Sequence, residues 1–445
     1  MKPSIPKGTR DFLPKEVYKR QYIFDTIKSV FEVYGYQPIE TPVMEKLSTL
    51  TGKYGDEGDQ LLFKILNNGD FLAKADKQAL TDNNSKQLVN SISKKGLRYD
   101  LTVPFARFVT MYQNDISFPF KRYQIQQVWR GDRPQKGRYQ EFYQCDVDVV
   151  GSDSLMYEAE LVKIYDDVFH KLGIKSTIKI NNRKVLFGIA EAAGIPDKFM
   201  DMTIAIDKLD KIGEEGVINE MDKKGIGSDA SHKVLDLLKI NNLTELEVAF
   251  ADSPEGLRGV SELKQFHEYF DTMTAHNDVQ FDISLARGLS YYTGCIFEVV
   301  SNDVSIGSIG GGGRYDDLTS SFGMKGVSGV GVSFGAARIY DVMEELDLFP
   351  KSVSQKLQYL LVAFDQESHK FAFSQLSKLR AAAIPADLYP EPTKLKKQMK
   401  YANDITVPNV ILIGSDEVKS GQLTIKNMQT GDQKTMTISE IISEA

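Results

Sequence analysis

The chain has 445 residues with a formal net charge of −7, 54 basic against 61 acidic. It is too long for one ordinary domain and not basic enough for a general nucleic-acid coat, although a local basic patch is still allowed. Its only cysteines, Cys145 and Cys295, are far apart and lie beside strand-like segments. That excludes a disulfide framework and a four-cysteine zinc site, and predicts buried free thiols in a reducing compartment. The opening MKPSIPKGTRDFLP lacks the apolar core of a signal peptide, and no later run is long and apolar enough for a membrane span. The expectation is a soluble cytoplasmic protein without membrane association.

In chain order, Val17, Ile23, Phe24, Ile27, Val30 and Phe31 recur at helical spacing and predict a helix from Pro14 to Tyr34, stopped by Gly35. YQPIETPVMEKL follows. Pro38 and Pro42 bar it from the middle of a sheet, so it reads as an edge or interface strand. Residues 67–96 are polar, rich in Lys, Asn and Ser, and predict a mobile insertion between strands. LRYDLTVPFARF reads as a strand ending in Asp100, Thr102 and Pro104 before a short helix. Taken alone, these residues leave open whether Asp100 and Thr102 cap the helix or line a pocket.

QVWRGDRPQKGRYQEFYQCDVDVVG, from Gln127 to Gly151, organises the chain. Two alternating segments, one ending near Trp129 and one starting near Phe142, enclose a loop of Arg, Lys, Gly and Pro. Arg130 leaves the first strand, and Arg133, Lys136 and Arg138 occupy the loop. Asp146 and Asp148 follow at the period-two spacing that places both on one face. Such a hairpin can hold phosphates at one end and a cationic or hydrogen-bonding group at the other, although most charged hairpin loops are merely solvated.

A helix is expected from Leu155 to Leu172, then short helical patterns across 182–258, where alternation is nearly absent. Phe281 to Leu285 and Cys295 to Val300 predict strands around a turn holding Arg287, Tyr291 and Tyr292. SIGSIGGGGRYDDL predicts a strand and a Gly-rich turn, and VSGVGVSFGAARIYDVMEEL a strand running into a helix that carries Arg338. The spacing of Gly310 to Gly313 does not match a dinucleotide fingerprint, and no acid follows at the required distance. These glycines would instead allow close approach of a flat ligand. From about Ser354, strands and helices alternate as in a small α/β domain with a mixed sheet, whose second helix carries Lys394, Lys396, Lys397 and Lys400. A lysine cluster of this kind is more often a solvated face than a binding site.

RGDRPQKGRYQEF resembles motif 2 of the class II aminoacyl-tRNA synthetases. The first helix and proline-bearing strand resemble motif 1, which builds the dimer interface in that family, and the last strand and helix resemble motif 3. YQCDVDVVG, ARGLSYYTG and GGGGRYDDL are similar to the histidyl-tRNA synthetase versions, as is the C-terminal segment from LRAAAIPADLYP onward to the anticodon-binding domain. The resemblance implies an α+β catalytic domain with a mostly antiparallel sheet (1–181 and 259–350), a helical insertion (182–258) and a C-terminal α/β anticodon-binding domain (354–445). It also implies a homodimer that activates L-histidine with ATP, Mg2+ accompanying the nucleotide, and passes it to the 3' end of its tRNA. No permanently bound cofactor and no structural metal are expected.

Carried over residue by residue, the resemblance gives Arg130 the α-phosphate and the attacking carboxylate, with Arg287 opposite it in the place that other class II enzymes give a metal ion. Asp132, Arg138, Phe142 and Arg338 fall to ATP, with Phe142 and Arg338 on the two faces of the adenine. Asp100, Thr102 and Gln144 receive the α-ammonium of histidine, and Leu101 belongs to the same histidine-binding set. Asp148 and Tyr292 bracket its imidazole, beside Tyr291. Lys394, Lys396, Lys397 and Lys400 become candidates for tRNA contact. Three positions depart from the family: Asp132 for its usual glutamate, Ser290 where many relatives have an acid, and Asp317 for a common glycine. Two other classes of reading compete. One is a non-catalytic paralogue such as the regulatory subunit of ATP phosphoribosyltransferase, which lacks the anticodon domain. The other is a nucleic-acid-binding scaffold, which would have no need of four converging arginines.

Overall fold

The computed structural model describes residues 2–51, 61–133, 135, 137–286, 292–316, 318–353 and 357–444. The chain divides into two compact units, Met1–Asp11 with Arg20–Phe349 and Phe12–Lys19 with Pro350–Ala445.

A helix Pro14–Val33, which belongs to the first unit from Arg20 onward, precedes that unit's β1 (Gln37–Pro38), β2 (Met44–Lys46), β3 (Lys64–Ile65) and β4 (Lys95–Leu97). After a helix Thr102–Met111 come β5 (Phe120–Trp129), β6 (Glu141–Val150), the helix Met156–Leu172 and β7 (Ser176–Asn182). Beyond a run of helices, β8 (Asp278–Phe281), β9 (Cys295–Ser301), β10 (Gly310–Tyr315) and β11 (Gly329–Phe334) complete an eight-stranded sheet, and a helix Ala336–Glu345 follows. The sheet order is β1-β5-β6-β11-β10-β9-β7-β8. Pairing is parallel only at the margins, β1 with β5 and β7 with β8. The five inner pairings are antiparallel, as expected of a mostly antiparallel sheet. β1 lies at an edge, where the missing amide hydrogen of Pro38 is tolerated.

Alternation along the central strands gives the sheet an apolar and a polar face. Tyr123, Cys145, Val147, Val149, Val330, Val332 and Phe334 belong to the core, with Ile23, Ile27, Val30 and Phe31 of the first helix and Val162, Tyr165, Val168 and Phe169 of the helix Met156–Leu172. The rings of Phe31, Tyr165 and Phe169 lie 4.7–5.7 Å from that of Phe334. Truncating such a ring typically costs about 3–5 kcal/mol. The residues between these apolar ones form the polar face. Arg122, Gln124 and Gln126 stand opposite Asp148, Asp146 and Gln144, and Asp148 and Asp146 in turn oppose Gly331 and Ser333.

Three expectations are corrected. Residues 67–96, poorly patterned in sequence, do lead from strand β3 into strand β4 but hold two short helices. Asp76 caps a helix Lys77–Thr81 by accepting from the Gln78 and Ala79 amides, both at 3.0 Å, and Asn84 caps Ser85–Ile92 through Gln87 at 3.1 Å. Side-chain caps start these helices where the composition suggested only loop. The strand expected at Phe281 to Leu285 ends at Phe281, because the Asp282 carboxylate accepts from the Ser284 amide and hydroxyl and turns the chain. Gly310 to Gly313 form strand β10, not a turn. A Cβ at Gly310 would strike the Tyr165 ring at 2.7 Å, and one at Gly313 the Tyr292 ring at 2.9 Å. At Gly310 and Gly313 the space left by the missing side chain is taken by the protein's own rings.

Helices Arg183–Ala192, Phe199–Ile206, Leu209–Asp222, Ser228–Leu237, Leu243–Ala249 and Pro254–Phe270 lie between β7 and β8. The last of them carries helical structure beyond residue 258.

In the second unit, β12 (Tyr359–Ala363), β13 (Ala386–Leu388), β14 (Asn409–Ile413), β15 (Gln422–Asn427) and β16 (Gln433–Thr437) form a mixed sheet ordered β13-β12-β14-β15-β16. The first three in that order are parallel and the remaining pairings antiparallel. Leu361 and Ala363 face one core, and Leu360 and Val362 a second. A parallel strand covered on both faces needs such a continuous apolar run. Helices Gln366–Ala381 and Leu395–Asp404 match the expected pair, whereas β16 and the helices Ser415–Ser420 and Ile438–Glu444 add to it.

Candidate active site

The hairpin β5–β6 places Arg130 one residue beyond Trp129, with its amide held by the Gln140 carbonyl at 3.0 Å. Its Nε donates to the Tyr99 carbonyl at 3.1 Å, and its guanidinium carbon stands 4.4 Å from the Tyr99 ring and 5.2 Å from that of Phe142. Two aromatic rings and a carbonyl thus preorient a planar cation at the rim of the polar face. In the loop, Arg138 lies 3.9 Å from Asp132, a contact weak enough to yield to a ligand. Arg338 reaches this loop from the helix Ala336–Glu345, with Nη1 donating to the Ser308 carbonyl at 2.6 Å and Nε to the Gly137 carbonyl at 3.1 Å. The hairpin loop and the helix Ala336–Glu345 therefore meet at Gly137, whose φ of 70° suits glycine.

Asp100 does cap a helix, its Oδ1 accepting from the Val103 amide at 3.1 Å. It is also buried beside Leu101, and Thr102 opens that helix. Gln144 donates to the Ser333 hydroxyl at 3.0 Å, while its own Oε1 is buried without a hydrogen-bond partner. An orphaned acceptor on a polar face awaits a donor, such as an ammonium group.

Asp148 is held from two sides. Arg122 closes on its Oδ2 at 2.7 Å, and the Tyr315 hydroxyl donates to its Oδ1 at 2.7 Å. Arg122, Asp148, Gly331 and Gly313 occupy one row across β5, β6, β11 and β10. A Cβ at Gly331 would fall 2.0 Å from Asp148 Oδ1, so the carboxylate leans over Gly331 just as Tyr292 lies over Gly313. Two adjacent glycines thus bring Asp148 and Tyr292 over neighbouring positions of the row. Burial pushes both acids up. Asp146 rises to about 7, with Arg122 pulling down and Asp148 adding to the rise. Asp148 is likewise raised by burial and drawn back by Arg122 and the Tyr315 hydrogen bond.

Three groups escaped the sequence reading. Arg122 and Tyr315 are fully buried partners of Asp148, and the period-two register of FKRYQIQQVW was the signal for the first. Arg10 stacks over the Tyr139 ring at 3.4 Å, and the Gly8 carbonyl accepts from the Gln140 amide at 2.9 Å, so residues 8–10 border the hairpin loop. Arg287, Tyr291, Lys136, Ser290 and Asp317 lie outside the described residues. Lys394, Lys396, Lys397 and Lys400 are exposed along the start and body of the helix Leu395–Asp404, in the second unit.

A family model for histidyl-tRNA synthetase matches residues 8–73 and 70–339, and one for an anticodon binding domain matches 353–445. The chain is 53% identical over 446 residues to a histidine–tRNA ligase of Bacteroides fragilis, covering 99% of this chain and 98% of that one. It is 54% identical over 447 residues to a histidine–tRNA ligase of Phocaeicola vulgatus, at the same coverage. The crystal structure of histidyl-tRNA synthetase from Nostoc sp. PCC 7120 superposes with a TM-score of 0.83 at 30% identity, covering 100% of this chain and 99% of that one. These likenesses run through the C-terminal domain and favour the ligase over the regulatory-subunit alternative. The chain belongs to the histidyl-tRNA synthetase family.

Proposed function

We propose that this chain activates L-histidine with ATP to histidyl-adenylate and transfers it to the 3' end of its tRNA. The observation that carries the reading is the polar face itself. It has an oriented cation, Arg130, at its rim and a doubly held acceptor, Asp148, over the glycine next to the one that Tyr292 covers. In-line attack of a carboxylate on the α-phosphorus needs positioning and charge neutralisation more than covalent help. Arg130 meets both needs, and Arg287 is assigned the opposite side of the phosphate. Arg138, Arg338, Asp132 and Phe142 hold ATP. Asp100, Thr102 and Gln144 receive the α-ammonium, and Leu101 lines the same histidine pocket. Asp148, Tyr292 and Tyr291 select the ring.

Mg2+ is proposed to arrive with the nucleotide. Among the described residues the one close trio of metal-ligating groups is Asp166, Asp167 and His276. Lys163 already bridges its two acids, and Asp166 lies on the helix packed against the apolar face. That trio does not fit a nucleotide-linked ion.

The domain assignment carried by this reading is a catalytic part at 1–181 and 259–350, a helical insertion at 182–258 and an anticodon-binding domain at 354–445. A homodimer belongs to the same proposal, supported by the edge position of β1 and by exposed Met44, Met111 and Phe118. A monomeric mass at micromolar concentration in sedimentation would refute it. The cytoplasmic setting is supported by two buried free thiols. The test of activity is amino-acid-dependent exchange of pyrophosphate into ATP. Histidine alone should support it, because a site built to hydrogen-bond imidazole leaves its partners unpaired around an apolar side chain. Equal exchange with leucine or phenylalanine would sink the assignment.

A further inference from the structure

Asp148 presents a question of charge. A buried carboxylate facing an imidazole can accept from a neutral ring, or it can attract the protonated ring as a counter-ion, and the two make opposite demands on pH. Which of these the site takes depends on what already neutralises the acid. Arg122 and Asp148 are cross-strand partners on β5 and β6, both fully buried and 2.7 Å apart. The guanidinium is fixed from its other side by the Phe105 ring, 4.1 Å from its central carbon, and by Gln124 Oε1 at 3.5 Å. It has no route to solvent, so its charge cannot be relieved by swinging out. Neither Arg122 Nε nor Asp148 Oδ2 has an aligned hydrogen bond. The pair is therefore compensated in charge but leaves directional capacity on the carboxylate. Tyr315 donates to the other oxygen, which favours the ionised acceptor over the protonated acid at this position.

We infer that Arg122 is a positioning residue that fixes the protonation form of the substrate ring: the site accepts neutral imidazole, with Asp148 taking a hydrogen bond from the ring N–H. This rests on the assignment of Asp148 to the ring. A second cation beside the Arg122–Asp148 pair would face an already compensated acid in a poorly solvated place and would be disfavoured. Removing the Arg122 charge reverses the preference, because the complex then holds one more proton, shared between Asp148 and the ring. The other groups that act on Asp148 are Asp146 on the same strand, Asp100 ahead of the helix Thr102–Met111, Tyr315 from β10 and Tyr36 ahead of β1. Asp146 titrates in the same window as a free imidazole, so a bare pH profile would mix the two.

A ratio of two ligands removes that confusion. Dissociation constants of histidine and of triazolylalanine, whose ring keeps the shape but stays neutral, are measured by calorimetry on the full chain between about pH 5.5 and 7.5. Titration of Asp146 acts on both ligands and cancels. With a free-ring pKa of about 6.5, the histidine-to-analogue ratio should rise about tenfold towards the acid end. A flat or falling ratio in the unsubstituted protein overturns the inference. Arg122→Lys, which keeps the charge, should preserve the rise, whereas Arg122→Gln should flatten or invert it. An Arg122→Gln protein that folds and keeps the full rise would reduce Arg122 to a structural role. Should that variant fail to fold, the unsubstituted protein and Arg122→Lys still decide. Asp148→Asn tests the underlying assignment separately: unchanged histidine affinity there would remove Asp148 from the ring, whatever Arg122 does.

Discussion

Arg314 on β10 donates to both carboxylate oxygens of Glu158 on the helix Met156–Leu172, with its Nη2 at 2.7 Å from Oε2 and both side chains buried. The same guanidinium donates to the Ser328 hydroxyl at 2.5 Å and the Ser152 carbonyl at 3.0 Å. Ser328 in turn donates to Asp316, as does Thr293, the residue after Tyr292. The helix under the sheet and the segment that delivers Tyr292 are therefore tied to one buried cation. Removing a single partner would leave the other charge uncompensated in the core. Glu158→Ala is expected to lower unfolding stability by about 3–5 kcal/mol in urea titration. A loss below about 1 kcal/mol would show the pair to be solvated in practice.

Asp146 carries the clearest pH signature. Its folded pKa of about 7 lies well above the ordinary aspartate value of about 3.9, so the native state holds a proton that the unfolded chain has released between these values. Stability from this group is fully present below the lower value and declines as pH rises through the upper one. Asp146→Asn cannot ionise and should escape the decline. Its stability relative to the unsubstituted protein should therefore improve from pH 5 to pH 8, by at most about 1.4 kcal/mol for each pH unit. Equal stability differences at the two pH values in urea unfolding would place Asp146 back in the ordinary carboxylate range.

The alternation of FKRYQIQQVW and EFYQCDVDVV made the hairpin and its polar face legible, because one face had to be apolar to meet the core. The placement of Asp146 and Asp148 on the other face followed from period two alone. Pairing across strands was not legible. Nothing local in the sequence says that Arg122 meets Asp148, or that Tyr315, 167 residues away, donates to it. The glycines of β10 misled for a related reason: glycine marks turns through its backbone freedom, but here it is needed for the space its missing side chain leaves to Tyr165 and Tyr292. Residues 67–96 misled because Asp76 and Asn84 read as loop formers when they are caps. At Asp100 the capping reading holds in the geometry, and the ligand role rests on resemblance.

Arg338 bridges the Ser308 and Gly137 carbonyls, which places its guanidinium at the hairpin loop. Arg338→Ala should therefore raise the KM for ATP at least tenfold in pyrophosphate exchange, while leaving the KM for histidine within about twofold. The tenfold figure corresponds to about 1.4 kcal/mol, the scale of one charge-assisted hydrogen bond. A rise confined to histidine would move Arg338 out of the nucleotide site.

The proposed tRNA contact of the second unit's lysines can be tested apart from the catalytic step. The helix Leu395–Asp404 buries Gln398 and Ala402 and leaves Lys394, Lys396, Lys397 and Lys400 exposed, so charge reversal there should not disturb the fold. Gln398 instead ties the helix to β12, donating to the Ala363 carbonyl at 2.8 Å. If these lysines contact phosphates, each contact releases counterions on binding, and the logarithm of affinity falls with the logarithm of salt by about 0.7–0.9 per phosphate neutralised. Reversal to glutamate should then raise the KM for tRNA and flatten its salt dependence. Histidine-dependent pyrophosphate exchange should be unchanged, since its groups lie in the other unit. A solvated lysine face predicts instead the same aminoacylation and the same salt slope as the unsubstituted protein. That result would move RNA contact to other residues of the second unit without altering the assignment of the polar face.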